Sequence, residues 1–175
     1  ILNDTTLLKE EIVDVEVWNW KDTRLYTQQE VQLEGLRKRS FPVVWHCRKN
    51  RFVLLADPDI PAIRFQEQRD ADLALAITEE PYGQYITTEG AAHVNAYAVD
   101  LKSGDKSMIV KDLRGNPRLS PDVRYVYWWS DRDTAWFAWN ARRSETIRLT
   151  DNRNTAFYNE ENDQPDFPNE YGMAA

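Results

Sequence analysis

Arg124-Tyr125-Val126-Tyr127-Trp128-Trp129 is too evenly apolar and too rich in rings for a strand that wets one of its faces. In an extended chain alternate side chains point to opposite sides, so Tyr125, Tyr127 and Trp129 project one way and Val126 and Trp128 the other. Both sides then need cover. A sandwich strand buries one face and solvates the other, whereas a strand in a propeller blade lies between two neighbouring blades and is apolar on both.

Runs of similar character recur on either side of this stretch, rich in β-branched and aromatic residues and bounded by Gly, Pro, Asp and Asn. They are Val43 to Cys47, Phe52 to Leu55, Ala62 to Phe65, Leu73 to Ile77, Val94 to Val99, Ser107 to Val110, Ala135 to Trp139 and Thr146 to Leu149. Short strands this closely spaced predict an antiparallel, all-β architecture. One segment departs from it: from 27 to 39, Thr27 followed by Glu30 reads as a capping box, with Val31, Leu33 and Leu36 as apolar contacts. Gly35 weakens this helix by about 1 kcal/mol relative to Ala, and Pro42 blocks its continuation, so two to three turns are expected. Everything after it reads as strand and turn.

Three of the runs end alike, in Leu54-Leu55-Ala56-Asp57, Ile109-Val110-Lys111-Asp112 and Arg148-Leu149-Thr150-Asp151. The spacing of the terminal Asp residues brackets the roughly 40 to 50 residues of a four-stranded blade. Apolar inner-strand residues, Ile63 and Leu119, follow the first two. The expected organisation is a single incomplete β-propeller over 1–175, of about three four-stranded antiparallel blades. Its parts are an N-terminal strand and short helix in 1–40, a partial blade in 41–57, blades in 62–112 and 117–151, and an interblade loop with the start of a further blade in 152–175.

Composition narrows the function classes. The 175 residues leave little room for two independent cores. Twenty-two Lys and Arg against 29 Asp and Glu give a formal charge of -7, which supplies no basic field for a phosphate backbone, so nucleic acid is not an expected partner. No apolar run approaches the roughly 18 residues that span a bilayer, so no membrane partner is expected. The start, Ile1-Leu2-Asn3-Asp4, reads as trimmed or processed. Cys47 is the single cysteine, which excludes an internal disulfide and a cysteine metal cluster and leaves the compartment unnamed.

Leu119-Ser120-Pro121-Asp122-Val123-Arg124-Tyr125 resembles the L-S-P-D-G-R-Y blade signature of propellers in the prolyl oligopeptidase family of serine peptidases. Val15-Glu16-Val17-Trp18-Asn19-Trp20-Lys21-Asp22, with Lys38-Arg39-Ser40 and Leu54-Leu55-Ala56-Asp57 after it, is similar to the segment around a short helix in bacterial dipeptidyl and acylaminoacyl peptidase-like members. Leu149-Thr150-Asp151, Phe157 to Asp163, Pro165, Pro168 and Tyr171-Gly172 resemble a long interblade loop of that subgroup. Val123 stands where the signature has Gly, and a β-branched residue is poorly suited to positive φ, so a locally different turn is expected there.

The resemblance implies the propeller of a serine peptidase, which would admit peptides to a hydrolase domain and exclude folded proteins. The catalytic machinery itself is not expected in this chain. Its six glycines include no G-x-S-x-G elbow, and no alternating β-α pattern builds a hydrolase sheet. The implied partners are a hydrolase domain and further blades of a parent polypeptide, or a second copy meeting the open blade edges, since three blades do not close a ring that needs at least four. An extracytoplasmic setting, periplasmic or secreted, is preferred to a cytoplasmic one.

Among candidate site residues, dipeptidyl peptidases can hold a substrate's amine with a glutamate pair from the propeller, and two carboxylates against one ammonium suit that task. Glu79-Glu80 and Glu160-Glu161 are the adjacent pairs in loop settings, and Glu160 and Glu161 are the substrate-binding candidates; solvated loop charge is the competing reading. His46 and His93 fall in predicted strands without metal-ligand spacing and read as structural or surface residues. No metal and no cofactor is called for; the oxygen-rich stretch Asn159 to Glu170 lacks the spacing of a calcium loop. Tyr125, Tyr127, Trp128, Trp129, Trp136, Phe137 and Trp139 offer either a sugar-stacking platform, the alternative function of a carbohydrate-binding β module, or packing between blades, and each ring buries enough area to favour packing. A protein-interaction scaffold, pairing through open blade edges, is the remaining alternative.

Overall fold

The nine strand-forming runs read from the sequence, with a short tenth strand at Arg118–Leu119, form the strands of the computed structural model, which describes residues 18–66 and 71–171. The chain divides into two compact units, Ile1–Arg39 and Ser40–Ala175.

In the first unit, α1 covers Tyr26–Arg37. It starts ahead of Thr27, and the expected Thr27–Glu30 box does not form. Instead the Gln28 side chain accepts from the Leu25 N–H at 3.3 Å, and the Gln29 side chain donates to the Arg24 carbonyl at 2.9 Å. Leu25 precedes the first turn with extended backbone, so a glutamine three residues on meets its exposed N–H without help from a hydroxyl. Of the N-terminal strand expected before the helix, residues up to 17 lie outside the described ones, and 18–25 contain no strand.

In the second unit, β1 (Val43–His46) and β2 (Arg51–Leu54) form a hairpin around a 3₁₀ turn, Cys47–Lys49. β3 (Ala62–Arg64), β4 (Leu73–Thr78), β5 (His93–Asp100) and β6 (Lys106–Arg114) form a four-stranded sheet in chain order. β7 (Arg118–Leu119), β8 (Tyr125–Ser130), β9 (Ala135–Asn140) and β10 (Glu145–Arg148) form another, also in chain order. Every pairing is antiparallel. The protein is therefore mostly β, as expected, built from two four-stranded meanders and a two-stranded hairpin. A second helix, α2 (Tyr85–Thr88), corrects the expectation of a single one. Its residues, Tyr-Ile-Thr-Thr, are β-branched or aromatic and carry no helical signal, so the turn owes its shape to the loop that returns the chain from β4 to β5.

Alternation assigns the core. Ala74 and Ala76 of β4 face one way and pack with Val53, Leu55 and Val99 under the β1–β2 hairpin. Leu75 and Ile77 face the other way and join Val94, Ala96, Ala98, Leu113, Leu119, Val126, Trp128 and Trp139, so the two meanders pack against each other. The sheet of β3 to β6 is thus covered on both faces. On the far side of the second sheet, Trp129 meets Trp136 edge-on at 5.7 Å, and its indole N–H donates to the Pro168 carbonyl.

The turn at Ser120–Tyr125 overturns the expectation for Val123. Val123 takes φ +58°, the conformation that glycine would supply, and its N–H donates to the Ser120 carbonyl. Pro121 presets the turn, and the Asp122 carboxylate accepts from the Arg124 N–H and the Ser120 hydroxyl. The local hydrogen bonds outweigh the strain of a β-branched residue at positive φ, about 1–2 kcal/mol. Val123→Gly removes that strain and also the half-buried side chain's contacts, worth roughly 1 kcal/mol. The two effects nearly cancel. Urea unfolding of Val123→Gly is expected to lie within about 1 kcal/mol of the parent, where a half-buried Val→Gly in a strand would cost clearly more.

The repeated Asp residues are not equivalent, which corrects the reading that three hairpins close alike. Asp57 caps the link to β3, accepting from the Asp59 and Ile60 N–H groups and pairing with Lys106 at 2.9 Å. Asp112 lies inside β6, and Asp151 faces Arg153 on the surface.

Beyond β10 the chain turns back on itself through a Tyr158–Glu170 bridge, and Arg114 at the end of β6 fastens this segment. Its guanidinium grips the Asp166 carboxylate with both terminal nitrogens, meets Asp131 at 3.2 Å and lies 5.9 Å from the Phe167 ring centroid. The Arg114 hydrogen bonds, then the Phe167 N–H, hold the Asp166 carboxyl down at about 2. Its folded value lies below its unfolded one, so the contribution to docking is present above the ordinary carboxylate range and is lost as pH falls through about 2. The segment is expected to stay docked at pH 3 and to release below about 2, followed through the Trp129 indole N–H resonance. Asp166→Asn should abolish that acid-dependent step.

Candidate functional site

A bulge in the β5–β6 pairing builds a cluster of mutually bonded polar side chains. Val94 pairs with Leu113 and Ala96 with Val110, so Lys111 and Asp112 together oppose Asn95. Asp112 takes φ +54°, a conformation aspartate tolerates better than most residues, and the bulge aims its carboxylate at His93. His93 Nδ1 lies 2.7 Å from Asp112 Oδ1, and Nε2 lies 3.1 Å from Glu89 Oε2. The imidazole is buried beneath Tyr85 and Tyr82, whose ring centroids lie 4.7 and 6.0 Å away. Below it, Asn95 Oδ1 accepts from both the Tyr82 hydroxyl at 2.7 Å and the Asp112 N–H at 3.0 Å. Burial, and then the Asp112 charge, push the Tyr82 hydroxyl up, which keeps it a donor to Asn95.

The chemistry open to this cluster is restricted. Both imidazole nitrogens are occupied by carboxylates from opposite sides, so His93 presents no free nitrogen to a reacting group. The same geometry keeps the two carboxylates from converging on one ion, and among the described residues no group of three or more His, Cys, Asp or Glu is placed to hold a metal. No serine or cysteine bonds to the imidazole. The cluster fastens the loop carrying α2 onto the β5–β6 bulge. The sequence places His93 in its strand but gives no sign of its partners Glu89, Asp112, Tyr82 and Tyr85, or of Asn95 behind them, because a bulge leaves no composition signal.

No family model, curated protein or solved structure matches this chain.

Glu160 and Glu161 sit on an exposed turn of the segment after β10. The Glu160 N–H donates to the Tyr171 hydroxyl and the Glu161 N–H to the Asn159 side chain, while both side chains face solvent. Glu79 is exposed, and Glu80 opens the 3₁₀ turn before α2. The two pairs lie in different loops. His46 is half-buried, with Nε2 3.1 Å from the Leu101 carbonyl. Trp128, Trp129, Trp136 and Trp139 are all buried, which leaves the aromatic block without the open Trp faces that a sugar platform needs. Among the described residues no helix is long and apolar enough to cross a membrane.

Proposed function

We propose that this chain is a β-propeller portion of a serine peptidase of the prolyl oligopeptidase type, which positions or admits peptides and leaves the chemistry to a hydrolase domain. The observation that carries this reading is the succession of two four-stranded meanders, each running edge to edge in chain order, with their first strands adjoining. Arg64 of β3 donates to the Asn116 side chain beside β7, and Gln66 donates to the Leu119 carbonyl at 2.6 Å. Consecutive blades have this layout, inner strand beside inner strand with faces packed. The β1–β2 hairpin supports it from the other side. Val43, Trp45, Phe52 and Leu54 share its outward face and are all exposed, an apolar face of the kind that a further blade or a second copy covers.

Two measurements test the reading. Spin-label distances should be shorter between the first strands (Arg64 to Arg118) than between the last (Ser107 to Ile147), because blades fan out from an axis; equal separations near 10 Å would mean a sandwich. A fluorophosphonate probe, which tags activated serines, should leave this chain unlabelled and label the polypeptide that antiserum against it detects in source cells. Labelling of the chain itself, or of no immunoreactive polypeptide, would refute the peptidase assignment.

A further inference from the structure

The tip of the β1–β2 hairpin carries a second feature, which shares Trp45 with the outward apolar face of the hairpin. A cleft of about 390 Å³ opens there, within the size range of small-molecule sites. Among the described residues it is lined by Trp45, His46, Arg48, Lys49, Arg51 and Lys102, with Cys47 at its edge and no carboxylate. For a chain of net charge -7, four cationic side chains around one cleft are a local reversal of sign.

The cations differ in how they are held. Arg51 donates to the Lys102 carbonyl, and His46 Nε2 lies against the Leu101 carbonyl, so the floor of the cleft is stitched between the hairpin and the β5–β6 turn. Lys102 Nζ reaches Asp72 at 2.5 Å outside the cleft. Arg48 and Lys49 form no ion pair with any described residue. They project from the 3₁₀ turn Cys47–Lys49, closed by Asn50 in the left-handed region at φ +45°, so short, constrained backbone presents two adjacent charges. On the other wall Trp45 is braced by Phe52, stacked at 5.8 Å, and the residue is 55% exposed.

We propose that this cleft binds a small organic anion whose phosphate or carboxylate meets Arg48, Lys49 and Arg51 and whose planar body lies on Trp45. An arginine fork matches either head group with paired N–H donors, lysine adds charge without directional demand, and the indole face accepts a flat ring.

Cys47 gives a direct readout, because it is exposed at the edge of the cleft. Phenyl phosphate, benzoate, inorganic phosphate and uncharged benzyl alcohol would be titrated up to about 10 mM while Cys47 is alkylated with neutral iodoacetamide. Phenyl phosphate or benzoate should protect Cys47 saturably and shift the amide resonances of residues 47–51, and about 0.5 M salt should weaken the effect. Stronger protection by phenyl phosphate names a phosphate ester, and stronger protection by benzoate a carboxylate. The Arg48→Ala, Lys49→Ala double variant should weaken binding by about tenfold or more, with sheet resonances unmoved, while Arg48→Lys, Lys49→Arg retains it. Absence of saturable protection by both aryl anions, equal protection by benzyl alcohol or inorganic phosphate, or protection untouched in the double alanine variant would each overturn the proposal.

Discussion

Trp128→Ala is expected to destabilise the protein by about 3–5 kcal/mol, a large part of the 5–15 kcal/mol that a domain ordinarily has. Trp128 is buried where the two meanders meet, stacked on Phe137 at 6.0 Å and clustered with Leu75, Val94, Leu113 and Trp139. Removing the indole costs its transfer from water and leaves a void that neighbours from two separate sheets cannot close without moving together. The control is Tyr125→Ala, three positions before Trp128 and on the opposite side of β8 from it, partly exposed and expected to cost about 1 kcal/mol or less. Urea unfolding measures both. Equal costs would mean that the sheets do not pack through this face.

Gly104→Ala is expected to cost about 2–4 kcal/mol, through two effects that act together. Gly104 takes φ +85° in the β5–β6 turn, where the Asp100 carboxylate gathers the Lys102 and Ser103 N–H groups. A Cβ there would stand 2.8 Å from Val53 Cγ1 and 2.9 Å from the Leu54 carbonyl oxygen, and the second is backbone that cannot swing aside. The change therefore pries the β1–β2 hairpin from the sheet beneath it. Hydrogen exchange should accelerate in 43–55 more than in β8 and β9, and the cationic cleft, which spans hairpin and turn, should lose anion binding with it. Uniform exchange across the second unit would show that the hairpin is not seated on Gly104.

The contrast between these two sites shows where reading the sequence stops. Trp128 was placed in a strand core by alternation alone, since neighbours along an extended chain must point to opposite faces whatever surrounds them. Gly104 is one glycine in a Ser-Gly-Asp turn, and nothing local says that Leu54, fifty residues earlier, comes to rest against it. Val123 makes the same point in reverse. Its side chain argued for an altered turn, yet Pro121, Asp122 and Ser120 impose the left-handed residue regardless, because several local hydrogen bonds outweigh one strained torsion.

The candidate sites divide in the same way. His93 could be assigned to its strand, but its burial between Asp112 and Glu89 depends on a bulge that displaces two residues against one. The cationic cleft joins Arg48, Lys49 and Arg51 to Lys102, which is distant in the chain and arrives only through the β5–β6 turn. Arg114 and Asp166 are likewise brought together by the return of the last segment.

Taken alone, the order of residues determined the strand runs, their antiparallel hairpins and the burial of Trp128, Trp129, Trp136 and Trp139, because these follow from side-chain alternation and turn chemistry within a few positions. Tertiary structure decided which carboxylates meet His93, which cations share a cleft and which aspartates are equivalent, because bulges and docked turns set those distances across long stretches of chain.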